Sequence, residues 1–329
     1  MNVLSLFDGM SCGRIALDRL GIKVDNYYAS EIDKYAMQVS AANYPDIIQV
    51  GDVTELDTST LPNIDLVMGG SPCQGFSFAG KQLAFDDPRS ALFFEFVRCV
   101  KELKPKYFLL ENVRMKKEYL DIISEQMGVE PIMINSALVS AQNRVRYYWT
   151  NIPGIEQPEQ RGIVLRDILE TKEIDGLTDK AIDYMNRSSD KWSGGKTRKD
   201  IYIKHESEKG MCLTANMHKG VPYGVIAVDK PKVLAGAIRG RYKDDGSIEQ
   251  KLELRQGGKS NSLTTVQKDN VVTKDEVYWR KLTPVECERL QTVPDNYTNH
   301  VSNTQRYKML GNGWTIEVIT HILNNLHEY

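Results

Sequence analysis

No run of 18 or more consecutive apolar residues occurs in the 329-residue chain, and its opening MNVLSLFDGM lacks the basic region and cleavage signal of a secretory leader. These absences exclude an ordinary membrane-spanning helix and predict an intracellular, cytoplasmic protein. Cysteine is sparse and scattered. Cys12, Cys73, Cys99, Cys212 and Cys287 form no C-x-x-C pair and no Cys/His cluster with zinc spacing. A disulfide scaffold is excluded and no metal is expected; each thiol is expected to be free, and a small buried hydrophobe is the ordinary fate of such a residue. A strong net charge is missing too, at −2. That average hides a gradient. Between Asn186 and Lys281 stand 20 Lys/Arg against 12 Asp/Glu, a local +8, while the rest of the chain carries 22 against 32. A basic segment within an acidic chain suits a polyanion-facing surface, although a solvated surface of mixed charge has the same composition.

What is present is a regular alternation of strand and helix signals over the first 150 residues. The apolar run NVLSLF is followed by GRIALDRLG, with Ile15, Ala16, Arg19 and Leu20 at helical spacing and Gly21 placed to stop it. YYASEI, DKYAMQVSAANY, IIQVGDV and IDLVMGG continue the pattern. Ser90 is a candidate cap for a helix whose apolar face runs from Leu92 to Leu103 and which ends before Pro105. YFLLENV, a helix around Tyr119 to Gln126, and INSALVS follow. Repeated β-α units predict an α/β fold with a doubly wound, mostly parallel sheet. After about Leu169 the pattern breaks into a Gly-, Lys-, Asn- and Thr-rich region with short strand-like pieces (IYIKH, YGVIAV, KLELR), predicting a smaller β-rich domain. Two of its segments, KGMCLTAN and GKSNSLTT, resemble each other but are too short for a repeat architecture. Order returns at Thr283-Pro284-Val285-Glu286, a capping box with proline at the first helical position, and ends with TIEVITHILNNL.

Four segments could carry chemistry, and each falls at the end of a predicted strand. The turn FDGMSCG, with Gly9 and Gly13, suits either a tight structural turn or close approach of backbone to a ligand at a helix N-terminus. Glu31 and Asp52 end the next two strands, where an acid can hold a ribose hydroxyl, which favours a nucleoside ligand. In GGSPCQGFS, Cys73 sits beside Pro72 at a loop mouth, a position better suited to a reacting thiol than to an inert buried one. Glu111 in LLENV emerges from an apolar strand, where burial should raise its pKa; a helix-capping carboxylate is the alternative. In AQNRVRYYW, Gln142, Arg144 and Arg146 would share one strand face by their period of two.

Together these segments resemble the cytosine-5 DNA methyltransferase family. In that family the Pro-Cys loop carries the nucleophile, Glu-Asn-Val the acid, and Gln-x-Arg-x-Arg lines the base pocket. RKLTPVECERLQTVPDNY (280–297) and MLGNGWTIEVI (309–319) match two further family blocks in the same order, so that the resemblance spans the chain apart from 170–278. The form FDGMSCG, with SEID and the Trp of GNGW, is more similar to the animal de novo enzymes than to the FAGLGG-like bacterial form.

The resemblance implies a class I S-adenosylmethionine-dependent methyltransferase fold. Its catalytic domain would comprise residues 1–170 and 303–329, with a target-recognition domain at 171–280 and a hinge at 281–302. It implies catalytic Cys73, Glu111, Arg144 and Arg146. The cofactor S-adenosylmethionine, with S-adenosylhomocysteine as product, would lie against Phe7, Asp8, Gly9, Met10, Cys12, Glu31, Ile32, Asp52, Val53, Pro72, Asn312 and Trp314. Gln74, Ser77, Arg89 and Gln142 are implied DNA contacts, with Arg89 at the far end of a lid loop. The partner is double-stranded DNA, in a bacterial or phage setting compatible with a separate cognate restriction endonuclease. A tRNA-cytosine enzyme of the same fold would carry a Cys-Phe-Thr tripeptide, absent here. A non-catalytic DNA-binding protein on the scaffold should have lost Cys73 or Glu111.

Overall fold

The computed structural model describes the chain outside residues 73–87, 171–175, 189–194, 231–233, 243–246, 255–270, 274–275 and 327–329, with backbone alone at 88–91, 229–230, 234–242, 248–254, 271–273 and 276–279. Buried apolar runs form the strands of a seven-stranded sheet: β1 (Asn2–Leu6), β2 (Asn26–Ser30), β3 (Ile48–Gln49), β4 (Leu66–Gly69), β5 (Tyr107–Val113), β6 (Ile132–Asn135) and β7 (Val145–Thr150). Their order is β3-β2-β1-β4-β5-β7-β6. The first five run parallel, while β7 lies antiparallel between β5 and β6. Between β1 and β4 the order reverses, and the crevice at such a switch point is where open α/β sheets hold ligands.

Helices α1 (Cys12–Arg19), α2 (Lys34–Asn43), α3 (Pro88–Leu103) and α4 (Lys117–Met127) connect these strands. The sheet is covered on both faces by two buried clusters. One joins Ile15, Ala16 and Leu17 of α1 to Leu66 and Met68; the other joins Phe93 and Phe96 of α3 and Ile123 of α4 to Leu4, Leu6 and Val67. Full burial of each such phenylalanine or leucine contributes roughly 1.5–3 kcal/mol.

Beyond the sheet come α5 (Asp179–Asn186), α6 (Arg198–Tyr202), β8 (Lys204–His205), β9 (Val225–Lys230), β10 (Leu234–Tyr242), β11 (Ile248–Leu254), β12 (Val271–Thr273) and β13 (Glu276–Lys281). Its six strands make two three-stranded sheets, β11-β10-β12 and β13-β9-β8. Then α7 (Pro284–Leu290), α8 (Asn303–Asn312) and α9 (Ile316–Leu323) return to the first cluster, to which Leu290, Leu310, Ile316 and Ile319 belong. The 281–302 segment shares that packing, through Leu282, Cys287, Val293 and Tyr297. No helix among the described residues is long and apolar enough to cross a membrane.

Local expectations fail in four places. Helix α3 begins at Pro88, whose fixed φ suits a first turn, so Ser90 lies inside it rather than at its cap. IYIKH was expected as strand, but Thr197 and Asp200 form a capping box that winds Arg198–Tyr202 into a helix and leaves two residues of strand. INSALVS is strand only to Asn135, whose side chain accepts from Ala137 N and turns the chain into a 3-10 helix. β7 begins at Val145, so the alternation that would align Gln142 and Arg144 with Arg146 does not extend to them.

Candidate active site

The carboxyl ends of β1, β2, β4 and β5 open on a cavity of about 480 Å³. Its floor begins with the turn after β1. Phe7, Gly9 and Ser11 have φ of 56°, 60° and 63°. Two non-glycine residues in the left-handed region within five positions make this a tightly wound loop, held by its hydrogen bonds. Gly9 N donates to Glu31 Oε2 at 2.7 Å, and the other carboxylate oxygen accepts from Ile32 N and Asp33 N at 2.8 Å each. The acid after β2 is thereby fastened by three amides. Asp52 is aimed in the same way, its Oδ1 accepting from Thr54 N at 2.9 Å. The Ile32 side chain, 74% exposed, forms an apolar lip of the cavity.

Asp8 is buried and receives hydrogen bonds from Ser11 Oγ (2.6 Å) and Tyr27 Oη (2.8 Å). Burial pushes its pKa up to about 6, against the lowering effect of those hydroxyls. Burial likewise pushes the Cys12 thiol up to about 12, so it lines the cavity as a neutral group.

On the opposite wall, the pairing of β5 with β7 sets Glu111 opposite Tyr148 and Val113 opposite Arg146. Glu111 and Arg146 are therefore diagonal neighbours on one face of the sheet. Glu111 Oε1 lies 2.8 Å from Arg146 Nε; the N–H is not directed along that line, so the contact is an ion pair rather than a linear hydrogen bond. Trp314 Nε1 donates to Glu111 Oε2 at 3.2 Å. The acid that emerges from this apolar strand is matched by a cation. A Cβ at Gly70 would come within 2.9 Å of both Glu111 Oε2 and Trp314 Nε1, so only glycine leaves room there. Asn112 Nδ2 donates to Ser71 Oγ at 3.2 Å, which fixes the residues just before Pro72.

Every residue expected to hold the cofactor lines this one cavity, from Phe7 to Trp314, as do Glu111, Arg144 and Arg146. Cys73, Gln74 and Ser77 lie outside the described residues, as does the Arg89 side chain; Pro72, the neighbour of Cys73, is on the cavity wall. Arg144 and Arg146 are divided in role. Arg144 is 3% exposed and donates to the carbonyls of Leu213 (3.0 Å), Gly311 (3.3 Å) and Gly313 (2.8 Å). Gln142 is fully buried away from the cavity; its Nε2 donates to Leu290 O and Gln291 Oε1, and its Oε1 accepts from Leu213 N. Both side chains tie the 212–214 segment to the returning chain.

Two participants went unnoticed in the sequence. Lys308 pairs with Asp33 at 2.8 Å on the cavity rim. Cys212 lies 3.3 Å from Arg144 Nη1 and 3.9 Å from Arg146 Nη2. Burial pushes that thiol up, but the two guanidinium groups outweigh it and the net shift is downward. Its segment KGMCLTAN stood out only as one of two similar stretches, and nothing in its composition marks the cysteine.

A model of the family described as C-5 cytosine-specific DNA methylase matches residues 1–328. Type II methyltransferase M1.ScrFI of Lactococcus lactis subsp. cremoris is 31% identical over 99% of this chain and 78% of its own length. Type II methyltransferase M.HhaI of Haemophilus parahaemolyticus is 27% identical over 99% of this chain and 94% of its own. Among solved structures, Spodoptera frugiperda DNMT2 covers 99% of each chain with a TM-score of 0.64 at 20% identity, a likeness of fold.

Proposed function

Because this chain belongs to the C-5 cytosine-specific DNA methylase family, we propose that it methylates carbon 5 of a cytosine flipped out of duplex DNA, through a transient bond to Cys73. The observation that carries this reading is the convergence of Glu111, Arg146 and Trp314 on one cavity wall, beside the Pro72 that leads into Cys73. The cavity fits S-adenosylmethionine. Its volume of about 480 Å³ falls in the range of ligand sites, roughly 300–1,000 Å³, and two strand-end acids, Glu31 and Asp52, stand beside apolar Phe7, Ile32 and Val53. When bound, that cofactor supplies an electrophilic methyl group on a cationic sulfur.

Carbon 5 of cytosine is a weak nucleophile, so the chain must push electrons into the ring. The Cys73 thiolate adds to carbon 6 while Glu111, in its protonated form, donates to ring nitrogen 3, leaving carbon 5 enamine-like. Arg146 reaches the carbonyl oxygen 2 and holds Glu111 in place. After methyl transfer, loss of the carbon 5 proton expels Cys73. Arg144, whose guanidinium is spent on three carbonyls, acts here as a positioning residue. Residues 1–170 and 303–329 form the catalytic part in this reading. Lysines and arginines of the basic 171–280 part contact DNA phosphates. The biological role is modification of DNA in a restriction-modification or phage-protection setting.

The test is incubation with S-adenosylmethionine and a duplex library containing 5-fluorocytosine, whose fluorine cannot leave as a proton does. The expected outcome is a denaturant-resistant protein–DNA adduct that Cys73→Ser abolishes. Absence of any adduct, with labelled tRNA methylated instead, would transfer the chemistry to RNA.

A further inference from the structure

The side chain of Cys212 reaches the Glu111 wall from outside the main sheet. Its segment is clamped to the stretch before β7. Gly210 N donates to Ala141 O at 2.7 Å, Asn143 N donates to Gly210 O at 3.0 Å, and Leu213 N donates to Gln142 Oε1 at 2.8 Å. Residue 212 therefore stands between two anchored neighbours. Its sulfur accepts from Arg144 Nη1 at 3.3 Å and from Arg146 Nη2 at 3.9 Å, and its thiol donates to Leu213 O at 3.4 Å. Two like charges converge on one polarisable atom. Burial opposes ionisation of this thiol, but Arg144 and Arg146 outweigh it and draw negative charge onto the sulfur between them.

The two arginines depend on that sulfur unequally. Arg144 is also held by the carbonyls of Leu213, Gly311 and Gly313. Arg146 meets a different neighbour at each nitrogen: Nε lies 2.8 Å from Glu111 Oε1, Nη1 donates to Val145 O at 2.8 Å, and Nη2 donates to Cys212. Three points fix the plane of a guanidinium, whereas two leave it able to tilt about the line that joins them.

We propose that Cys212 is a positioning residue for methyl transfer, its sulfur setting the plane in which the Arg146 guanidinium meets Glu111 and an incoming base. The inference rests on the reading of Glu111 and Arg146 given above. It adds a residue of the 171–280 part to the support of the reacting wall.

The test follows methyl transfer by the full-length protein from labelled S-adenosylmethionine to a random-sequence duplex library, with cofactor affinity measured separately by calorimetry. Cys212→Ala should slow transfer at saturating cofactor by about tenfold, the usual worth of one hydrogen bond to a charged group, and leave cofactor affinity unchanged. Cys212→Ser, which keeps an acceptor, should recover most of the loss. Cys212→Val fills the thiol's volume without accepting and should be as slow as the alanine variant, which keeps the test open should Cys212→Ala misfold. In an Arg146→Lys background, Cys212→Ala should add less than about threefold, because the planar group it orients is already gone. Unaltered rates in both acceptor-free variants, a serine variant as slow as alanine, cofactor affinity lost in step with rate, or a full tenfold loss on top of Arg146→Lys would each overturn the inference. Absence of DNA methylation by the unaltered protein would instead remove the reading of Glu111 and Arg146, and the inference with it.

Discussion

Glu111 and Asp8 are both buried acids on the same cavity, yet their partners differ: an arginine and an indole N–H for the first, two hydroxyls for the second. Glu111 is held by Arg146 and Trp314, so its position is fixed before any base arrives. Replacing it by glutamine keeps the shape and removes the proton donor of the proposed reaction; on that reading turnover should fall by roughly 10²–10⁴-fold in a methyl-transfer assay, with donor binding retained. Asp8 has a folded pKa of about 6 against an ordinary 3.8. A raised carboxyl pKa means the folded state binds more protons, so its contribution to stability is full below about pH 4 and is lost as pH rises through 6. Above pH 7 the loss is roughly 3 kcal/mol, an upper figure. Ligand-free Asp8→Asn protein should therefore melt higher than the unaltered protein at pH 7.5, with the advantage shrinking as pH falls towards 4. Thiol chemistry divides in the same way. Cys12 and Cys99 are buried and raised to about 12 and 11, whereas Cys212 is lowered by its two arginines. Timed alkylation followed by peptide mass mapping should label Cys212 well before Cys12, Cys99 or Cys287.

At the level of elements, what the sequence disclosed was what local periodicity and capping control. β5 spans Tyr107–Val113, the segment expected, because its apolar residues are continuous and Pro105 bars earlier helix. The capping box at Thr283 forms as expected, with Thr283 Oγ1 accepting from Glu286 N at 3.2 Å. Thr283→Ala should cost at least about 1 kcal/mol in chemical denaturation, because it removes the cap and also the hydrogen bond that Thr283 Oγ1 donates to Glu170 Oε2. What stayed hidden depends on strand direction and on partners distant in the chain. No alternation within AQNRVRYYW reveals that β7 starts at Val145, or that Arg144 turns into a junction built from residues 213, 311 and 313. The gathering of Phe7, Glu31 and Asp52 on one cavity wall was legible because strand-end acids and glycine turns are local signals. The division of labour between Arg144 and Arg146 was not, since it arises from a contact 167 positions away.

Across the whole molecule, buried charge pairs bind the returning chain to its neighbours. Arg280 makes two 2.8 Å hydrogen bonds to Glu286, with side chains 3% and 0% exposed. Glu288 accepts from Arg306 at 3.0 Å and from the backbone of Asn296 and Thr298. Arg280→Met would strand a buried carboxylate, and the midpoint of urea unfolding should fall by an amount corresponding to roughly 3–5 kcal/mol. The basic 186–281 region and the acidic remainder give the molecule a charge asymmetry. DNA affinity should therefore weaken steeply as salt rises.

The grip of Arg144 and Gln142 on residues 212–214 bears on any attempt to exchange specificities between relatives. Helix α8 passes so near this stretch that a Cβ at Gly311 would collide with the Thr214 and Ala215 backbone. A chimera cut inside 209–217 would sever a fitted joint, whereas one that leaves this stretch with its native arginine, glutamine and glycine transplants the variable strands on an intact mount.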